Sequence, residues 1–219
     1  MTTLRTITAF KSALAGGGAR PNLFEVSIPS FPTAAGTSVW ATTAGGEADA
    51  FKFLCKAAAL PASNVAPVDV PFRGRILKVA GERTFDTWTV TVINDENFKI
   101  RTAFEKWVNG ISKLDNATGA SNPASYMADA YVYQLGRGAG TVESTSSSTN
   151  TNGTSIQALR TYRFYDIFPT NISQIDLSYD TTDTLEEYTV EFQVQYWTAG
   201  ESTGGNGAGG GDQTGIVIS

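Results

Sequence analysis

The segment from Phe85 to Ile93 constrains this chain most, because both of its faces read as β-strand. Phe85, Thr87, Thr89, Thr91 and Ile93 fall on one side, and Trp88, Val90 and Val92 on the other. A period of two in β-branched and aromatic residues fits a pleated surface. The apolar row makes this a central strand with Trp88 in the core. Upstream, Val68, Val70 and Phe72 alternate with polar or proline positions, Arg73-Gly74-Arg75 supplies a tight reversal, Ile76 to Val79 returns and Gly81 closes the hairpin. Glycine provides the positive φ that a hairpin turn needs, and Pro71 marks an edge strand. Downstream, Asn94 or Asp95 can cap a helix and Glu96 suits its dipole. Ile100, Phe104, Trp107, Val108, Ile111 and Leu114 then follow along one helical face. Gly110 inside that helix costs about 1 kcal/mol relative to alanine, so packing of the Trp107 stripe on a sheet must hold it.

The remaining segments are mostly strands. Leu23 to Ile28, Phe51 to Leu60, Ala128 to Leu135, Thr161 to Ile167, Ser173 to Tyr179 and Glu187 to Trp197 carry strand patterns. The last alternates Tyr188, Val190, Phe192, Val194 and Tyr196 with polar partners. Thr33 to Asp49 reads as a loop or insertion in which Trp40 packs locally, and Gly136 to Ser155 as a mobile surface loop. Gly16 to Gly18 set off an N-terminal arm. The organisation expected is one β domain over residues 1–198, with insertions at about 33–50 and 136–156, then a glycine-rich tail over 199–219. Ile216 to Ile218 in that tail can add a strand to a neighbouring sheet edge.

Composition removes whole classes of function. The 219 residues include no histidine and one cysteine, Cys55. That excludes Ser-His and Cys-His nucleophile systems and the usual zinc ligand sets, and no cofactor is expected. Cys55 lies in an apolar run and reads as a packed thiol. The carboxylate pairs Asp95-Glu96 and Glu186-Glu187 allow a two-carboxylate hydrolase in principle, but a helix start and a solvated strand start explain them. Gly136-Arg137-Gly138-Ala139-Gly140 is not followed by a helical pattern and is rejected as a phosphate loop. A net charge of −5 disfavours a surface built to grip nucleic acid. No segment reaches membrane-spanning length. The sequons at Asn116, Asn152 and Asn171 read as chance. Arg73, Arg75, Lys78 and Arg83 form a basic group around the hairpin, which suits either a solvated turn or an interface.

The run from Phe72 to Arg101, with Arg20 to Val26, Phe53 to Ala58, Leu60-Pro61, Tyr162 to Ser173 and Tyr188 to Trp197, resembles the tail tube proteins of contractile-tailed bacteriophages. The resemblance implies a mainly β fold: a β-barrel-like sandwich with a projecting hairpin and one flanking α-helix. It implies a non-enzymatic virion subunit, assembled in the host cytoplasm into hexameric rings that stack as a tube. Its partners would be further copies of itself and tail sheath, baseplate and tail terminator proteins, with genomic DNA passing through unbound and no membrane insertion. On that reading Phe72, Arg73, Arg75, Ile76 and Lys78 contact the next ring, Glu25, Asp86, Asp176 and Glu191 are candidates for the lumen, and Trp88, Phe104 and Trp107 form the core. The tube protein of a bacterial contractile injection or type VI secretion system is the alternative within the class. A carbohydrate-binding β-sandwich using Trp40, Tyr196 and Trp197 is the alternative outside it.

Overall fold

The computed structural model describes residues 6–13, 18–36, 40–42, 46–139, 156–180 and 182–201. Most of the expected 136–155 loop and the Ile216 to Ile218 strand lie outside them. The elements in chain order are α1 (Ile7–Ala13), β1 (Phe24–Ser27), α2 (Glu47–Leu54), β2 (Cys55–Ala58), β3 (Ser63–Phe72), β4 (Arg75–Phe85) and β5 (Trp88–Ile93). They continue with α3 (Lys99–Ile111), β6 (Ala128–Ala139), β7 (Ile156–Ile172), β8 (Glu187–Gln193) and β9 (Tyr196–Glu201). The described residues form two compact units, one within 26–130 and 164–197, the other within 6–25, 131–163 and 198–201.

In the larger unit the strands are hydrogen-bonded in the order β7-β8-β5-β2. β5 is central, as its two-faced pattern predicts. It pairs antiparallel with β8 in the register Trp88↔Phe192, Val90↔Val190 and Val92↔Tyr188. Directly paired residues share a face, so these six side chains form one continuous apolar surface, and all six are buried. The opposite face, with Thr89, Thr91, Thr189 and Glu191, is only partly covered. Helix α3 supplies Ile100, Ala103, Phe104 and Trp107, spaced to one helical face, and all four are buried. Phe192 lies 5.7 Å from Phe104 and 6.0 Å from Trp107, while Trp88 stacks on Phe164 at 4.7 Å. Trp88, Phe104 and Trp107 are therefore core residues, as expected.

A second aromatic layer joins Trp40, from the segment read as an insertion, to Phe31 and Phe51 on either side of that segment. Phe31 stacks on Trp40 at 4.1 Å and lies 4.6 Å from Trp107, and Phe51 meets Phe104 edge-on at 5.8 Å. The indole of Trp40 donates to the Ile28 carbonyl at 2.8 Å and that of Trp107 to the Tyr126 carbonyl at 2.7 Å. Part of the 33–50 segment is thus core.

Several boundaries differ from the sequence reading. Phe51 to Leu54 is helical, not strand: Glu47 and Asp49 occupy the first turn of α2, where acidic groups suit the helix dipole. The helix sends Phe51 into the core and leaves Phe53 exposed; a strand would have put both on one face. Helix α3 starts at Lys99, after Phe98 at φ 52°, rather than at Asn94 or Asp95. Asp95 still acts on its start, since Oδ1 accepts the Lys99 amide at 3.1 Å. The helix ends at Ile111, so Leu114 is exposed. Phe85 closes β4 rather than opening β5. Gly81 does not end the hairpin: it sits inside β4 beside a bulge, where an added Cβ would come within 2.5 Å of the Ala66 carbonyl oxygen. Ser173 to Tyr179 is not a strand. Its last ladder bond runs from the Ser173 amide to the Thr189 carbonyl, after which Leu177 and Tyr179 find no sheet and stand exposed.

In the smaller unit β1 pairs with β6, β6 with β7 and β7 with β9. Leu23, Tyr131, Tyr133, Leu135 and Ala158 pack together. The Leu135 amide donates to the Leu23 carbonyl at 2.9 Å, and Gln134 Nε2 donates to the Arg20 and Leu23 carbonyls at 2.7 Å. Burial, with the charges of Tyr131 and Glu25 adding to it, pushes the Tyr133 hydroxyl up to about 12.

Candidate functional site

The feature left without a structural role is the β3–β4 hairpin. It forms a sheet of its own, from Ser63↔Phe85 at the root to Phe72↔Arg75 at the tip. Arg73 at φ 45° and Gly74 at φ 81° make the two-residue turn. Both angles lie in the left-handed region that such hairpin turns require, and glycine occupies it without strain. Arms of ten and eleven residues give a reach of about 30 Å. Every residue of β3 is exposed.

The register sorts the arms into two faces. Val68, Val70 and Phe72 lie opposite Val79, Leu77 and Arg75 on one face, while Pro71 and Asp69 lie opposite Ile76 and Lys78 on the other. The first face is an apolar ladder in solvent, with Val68 52% exposed, Phe72 68% and Leu77 63%. Phe72 and Ile76, expected to act together, point to opposite faces. Sequence reading missed Leu77 and Val79 as part of the ladder, although the alternation Leu77, Val79 opposite Val68, Val70 was the signal. Lys78 reaches Asp69 at 2.9 Å and Arg73 lies 5.4 Å over the Phe72 ring. An exposed ion pair of this kind contributes about 0–1 kcal/mol, so it does not lock the basic group in place.

The four lumen candidates are not one cluster. Glu191 lies on the partly covered face of β8, opposite Thr89. Asp86 accepts from Asn64 Nδ2 at 3.0 Å beside the hairpin root, and Asp176 accepts from Gln174 at 3.2 Å in the segment after β7. Glu25 lies on β1 in the smaller unit.

The chemical alternatives find structural employment instead. Glu186 accepts from Asn94 Nδ2 at 2.8 Å, Glu187 pairs with Lys56 at 2.5 Å, and Asp95 serves the start of α3. Cys55 is buried, and burial pushes its thiol up to about 12, the opposite of an activated nucleophile. Among the described residues no group of histidine, cysteine or acidic side chains is placed to hold a metal ion. No described helix is long and apolar enough to cross a membrane. Trp40 is buried and so offers no open sugar platform, while Tyr196, 44% exposed, is stacked on Tyr165 at 4.5 Å.

The family model and the sequence relatives point to one family. The family model described as phage tail tube protein matches residues 19–200. Over 189 residues the chain is 34% identical to the tail tube protein gp19 of Enterobacteria phage T4, covering 86% of this chain and 94% of that one. It is 24% identical over 195 residues to the tail tube protein of Serratia phage KSP90, covering 87% and 94%. Among solved structures, the sheath/tube terminator of the extracellular contractile injection system PVC superposes with TM-score 0.52 at 13% identity, covering 83% of this chain and 96% of that one. The anti-feeding prophage tube-terminating cap gives 0.50 at 15%, covering 84% and 92%. At such identities these two show a shared fold and no more. The match over residues 19–200 and the 34% identity to the phage T4 protein decide the family: this chain belongs to the phage tail tube proteins.

Proposed function

We propose that this chain is the non-enzymatic structural subunit of a contractile phage tail tube, that six copies close into a ring, and that rings stack through the β3–β4 hairpin. The observation that carries this reading is the solitary hairpin with its apolar ladder in water. A two-stranded ribbon is marginal on its own. Val65, Val68, Val70, Phe72, Ile76, Leu77 and Val79 are each more than two-fifths exposed. Finishing their burial against a neighbour gives on the order of 1 kcal/mol each. Phe72, Arg73, Arg75, Ile76 and Lys78 are the proposed contact with the next ring. A heterologous contact of this kind propagates a stack.

The bore is assigned to the polar face of the larger unit's sheet, the face that α3 does not cover. Glu191 is its central acid, Asp86 lies between β4 and β5, Asp176 lies four residues past β7, and Glu25 on β1 of the smaller unit is a separate lumen candidate. A negative lining lets DNA pass without adhering, because it repels phosphate within a screening length of about 8 Å. The subunit would be a virion component made in the host cytoplasm, with sheath, baseplate and tail terminator proteins as neighbours. The family match over residues 19–200 spans both compact units, which supports one tail tube domain followed by a C-terminal tail.

Electron microscopy of the purified protein is the test. Stacked rings with a central hole are the expected result, and Arg73→Glu with Arg75→Glu should give a folded subunit that makes no tubes. A protein that stays monomeric at high concentration, or intact tubes from the double variant, would refute the respective half of the proposal. The identity to phage tube proteins favours this reading over an injection-system tube.

A further inference from the structure

From the polarity of the larger unit we infer where the hairpin docks: its tip enters the open pocket formed by residues 174–179 and 184–187 of the next copy. This rests on the stacked-ring reading above and names the missing half of the contact.

The β5–β8 register sets the polarity of the larger unit. Trp88 pairs with Phe192 at one end and Ile93 with Glu187 at the other. Phe85, the last residue of the hairpin, is three positions before Trp88, so the hairpin is rooted at the first end. The pocket is at the second end, where the Asn94 amide donates to the Glu186 carbonyl at 2.9 Å and the Ser173 amide to the Thr189 carbonyl at 2.8 Å. Five residue steps of strand, about 17 Å, separate the two ends. A projection at one end and a recess at the other end of the same strands is the arrangement that head-to-tail stacking requires, since each copy then offers both halves of the contact.

The pocket suits the tip in chemistry. It has a volume of about 590 Å³ and is open to solvent. Leu177, Tyr179 and Leu185 line it and are 78%, 105% and 73% exposed, an apolar complement to Phe72 and Leu77. Asp176 lies in its wall, with Asp180 and Asp183 in the connecting turn, opposite in sign to Arg73, Arg75 and Lys78. Glu187 is already paired with the Lys56 cation, whereas Asp176 accepts only from the neutral Gln174 amide at 3.2 Å, so its charge remains to meet the arginines. Charge complementarity of this kind selects partner and register. On this assignment Asp176 serves the contact between rings rather than the bore.

Three variants and one measurement on the unaltered protein test it. Arg73→Glu with Arg75→Glu, and separately Asp176→Arg with Asp183→Arg, should each lower the sedimentable tube fraction at least tenfold while melting as the parent does. Combining all four substitutions should restore tubes to within twofold. If the aspartate variant assembles normally while the arginine variant fails, or if the combined variant is not restored, the pocket assignment is overturned and the ring-stacking role of the hairpin stands. If the arginine variant itself assembles normally, both readings fall. Carbodiimide coupling of wild-type tubes, read by mass spectrometry, needs no variant to fold. It should join Lys78 of one copy to Asp176, Asp180 or Asp183 of another, beside the internal Lys78–Asp69 product. Detection of only the internal product in intact tubes would overturn the inference.

Discussion

Replacing Gly110 with alanine tests whether packing or helix propensity governs α3. Alanine in a helix interior is better than glycine by about 1 kcal/mol, so on propensity alone the variant is stabilised. The structure reverses the sign. A Cβ built on Gly110 comes 2.2 Å from the Ala34 carbonyl oxygen, 2.6 Å from the Ala34 carbonyl carbon and 3.2 Å from the Ala35 amide. All three are backbone atoms, so no side-chain rotation relieves the overlap. The turn at Thr33–Ala35 must retreat by about 1 Å to restore ordinary contact, and it carries the buried Ala35 next to the Phe31–Trp40–Trp107 aromatic layer. Overpacking of this kind costs roughly 1–3 kcal/mol, occasionally more. A 2.2 Å approach to a backbone oxygen puts the cost in the upper part of that range, about 2–3 kcal/mol, so after the propensity gain of about 1 kcal/mol the net loss is about 1–2 kcal/mol, which lowers the melting temperature by roughly 2–8 °C in a chain of this size. Thermal melting of the Gly110→Ala subunit, followed by circular dichroism under conditions that keep it unassembled, is the assay. A melting temperature equal to or above that of the parent would refute the argument and show that α3 is not seated against the 33–35 turn.

Two further outcomes follow from buried groups. Burial raises the Cys55 thiol from 9.0 to about 12 and raises Tyr188 as well, so the folded state keeps protons that the unfolded chain loses near pH 9 and 10. Stability is then complete below pH 9 and falls as pH rises from about 9 to 12, by about 1.4 kcal/mol per pH unit for each group between its two pKa values. Denaturant titrations of the parent and of Cys55→Ala should show a shallower decline for the variant above pH 9, and identical slopes would contradict the assignment. Trp107→Phe leaves the Tyr126 carbonyl without the indole donor now 2.7 Å away, and should cost about 1–3 kcal/mol of unfolding free energy; a change under 0.5 kcal/mol would show that water replaces the bond freely.

What the sequence disclosed depended on whether local pattern and final environment agreed. They agree in β5 and β8, where Trp88, Val90 and Val92 alternate toward the side that Tyr188, Val190 and Phe192 also face, and in α3, whose stripe of Ile100, Phe104 and Trp107 needs only one apolar surface to rest on. They agree at the hairpin turn, because Gly74 states its own backbone geometry. Phe51 to Leu54 went the other way. Its alternating phenylalanines look like a strand, and only the distant Trp40 and Phe104 make it profitable to bury one of them and expose the other. Ser173 to Tyr179 failed for the converse reason: Ile175, Leu177 and Tyr179 alternate well, but among the described residues no neighbouring strand continues beyond Ser173 to receive them.

The same failure explains why half of the proposed interface was legible and half was not. The hairpin declares itself through local residues: a turn, two alternating arms and a basic tip. The recess has no local signature, since Leu177, Tyr179 and Leu185 are ordinary apolar residues in a sequence that also needs a core. They become informative only once the Ile93↔Glu187 pairing fixes them at the end of β8 away from the hairpin root. Register, a long-range property set by pairing across about a hundred residues of chain, converts an alternating apolar run into an exposed rim. An unpaired apolar strand pattern at a sheet end, in a chain whose opposite end carries a charged projection, is therefore better read as one half of a contact between copies than as a strand that failed to form.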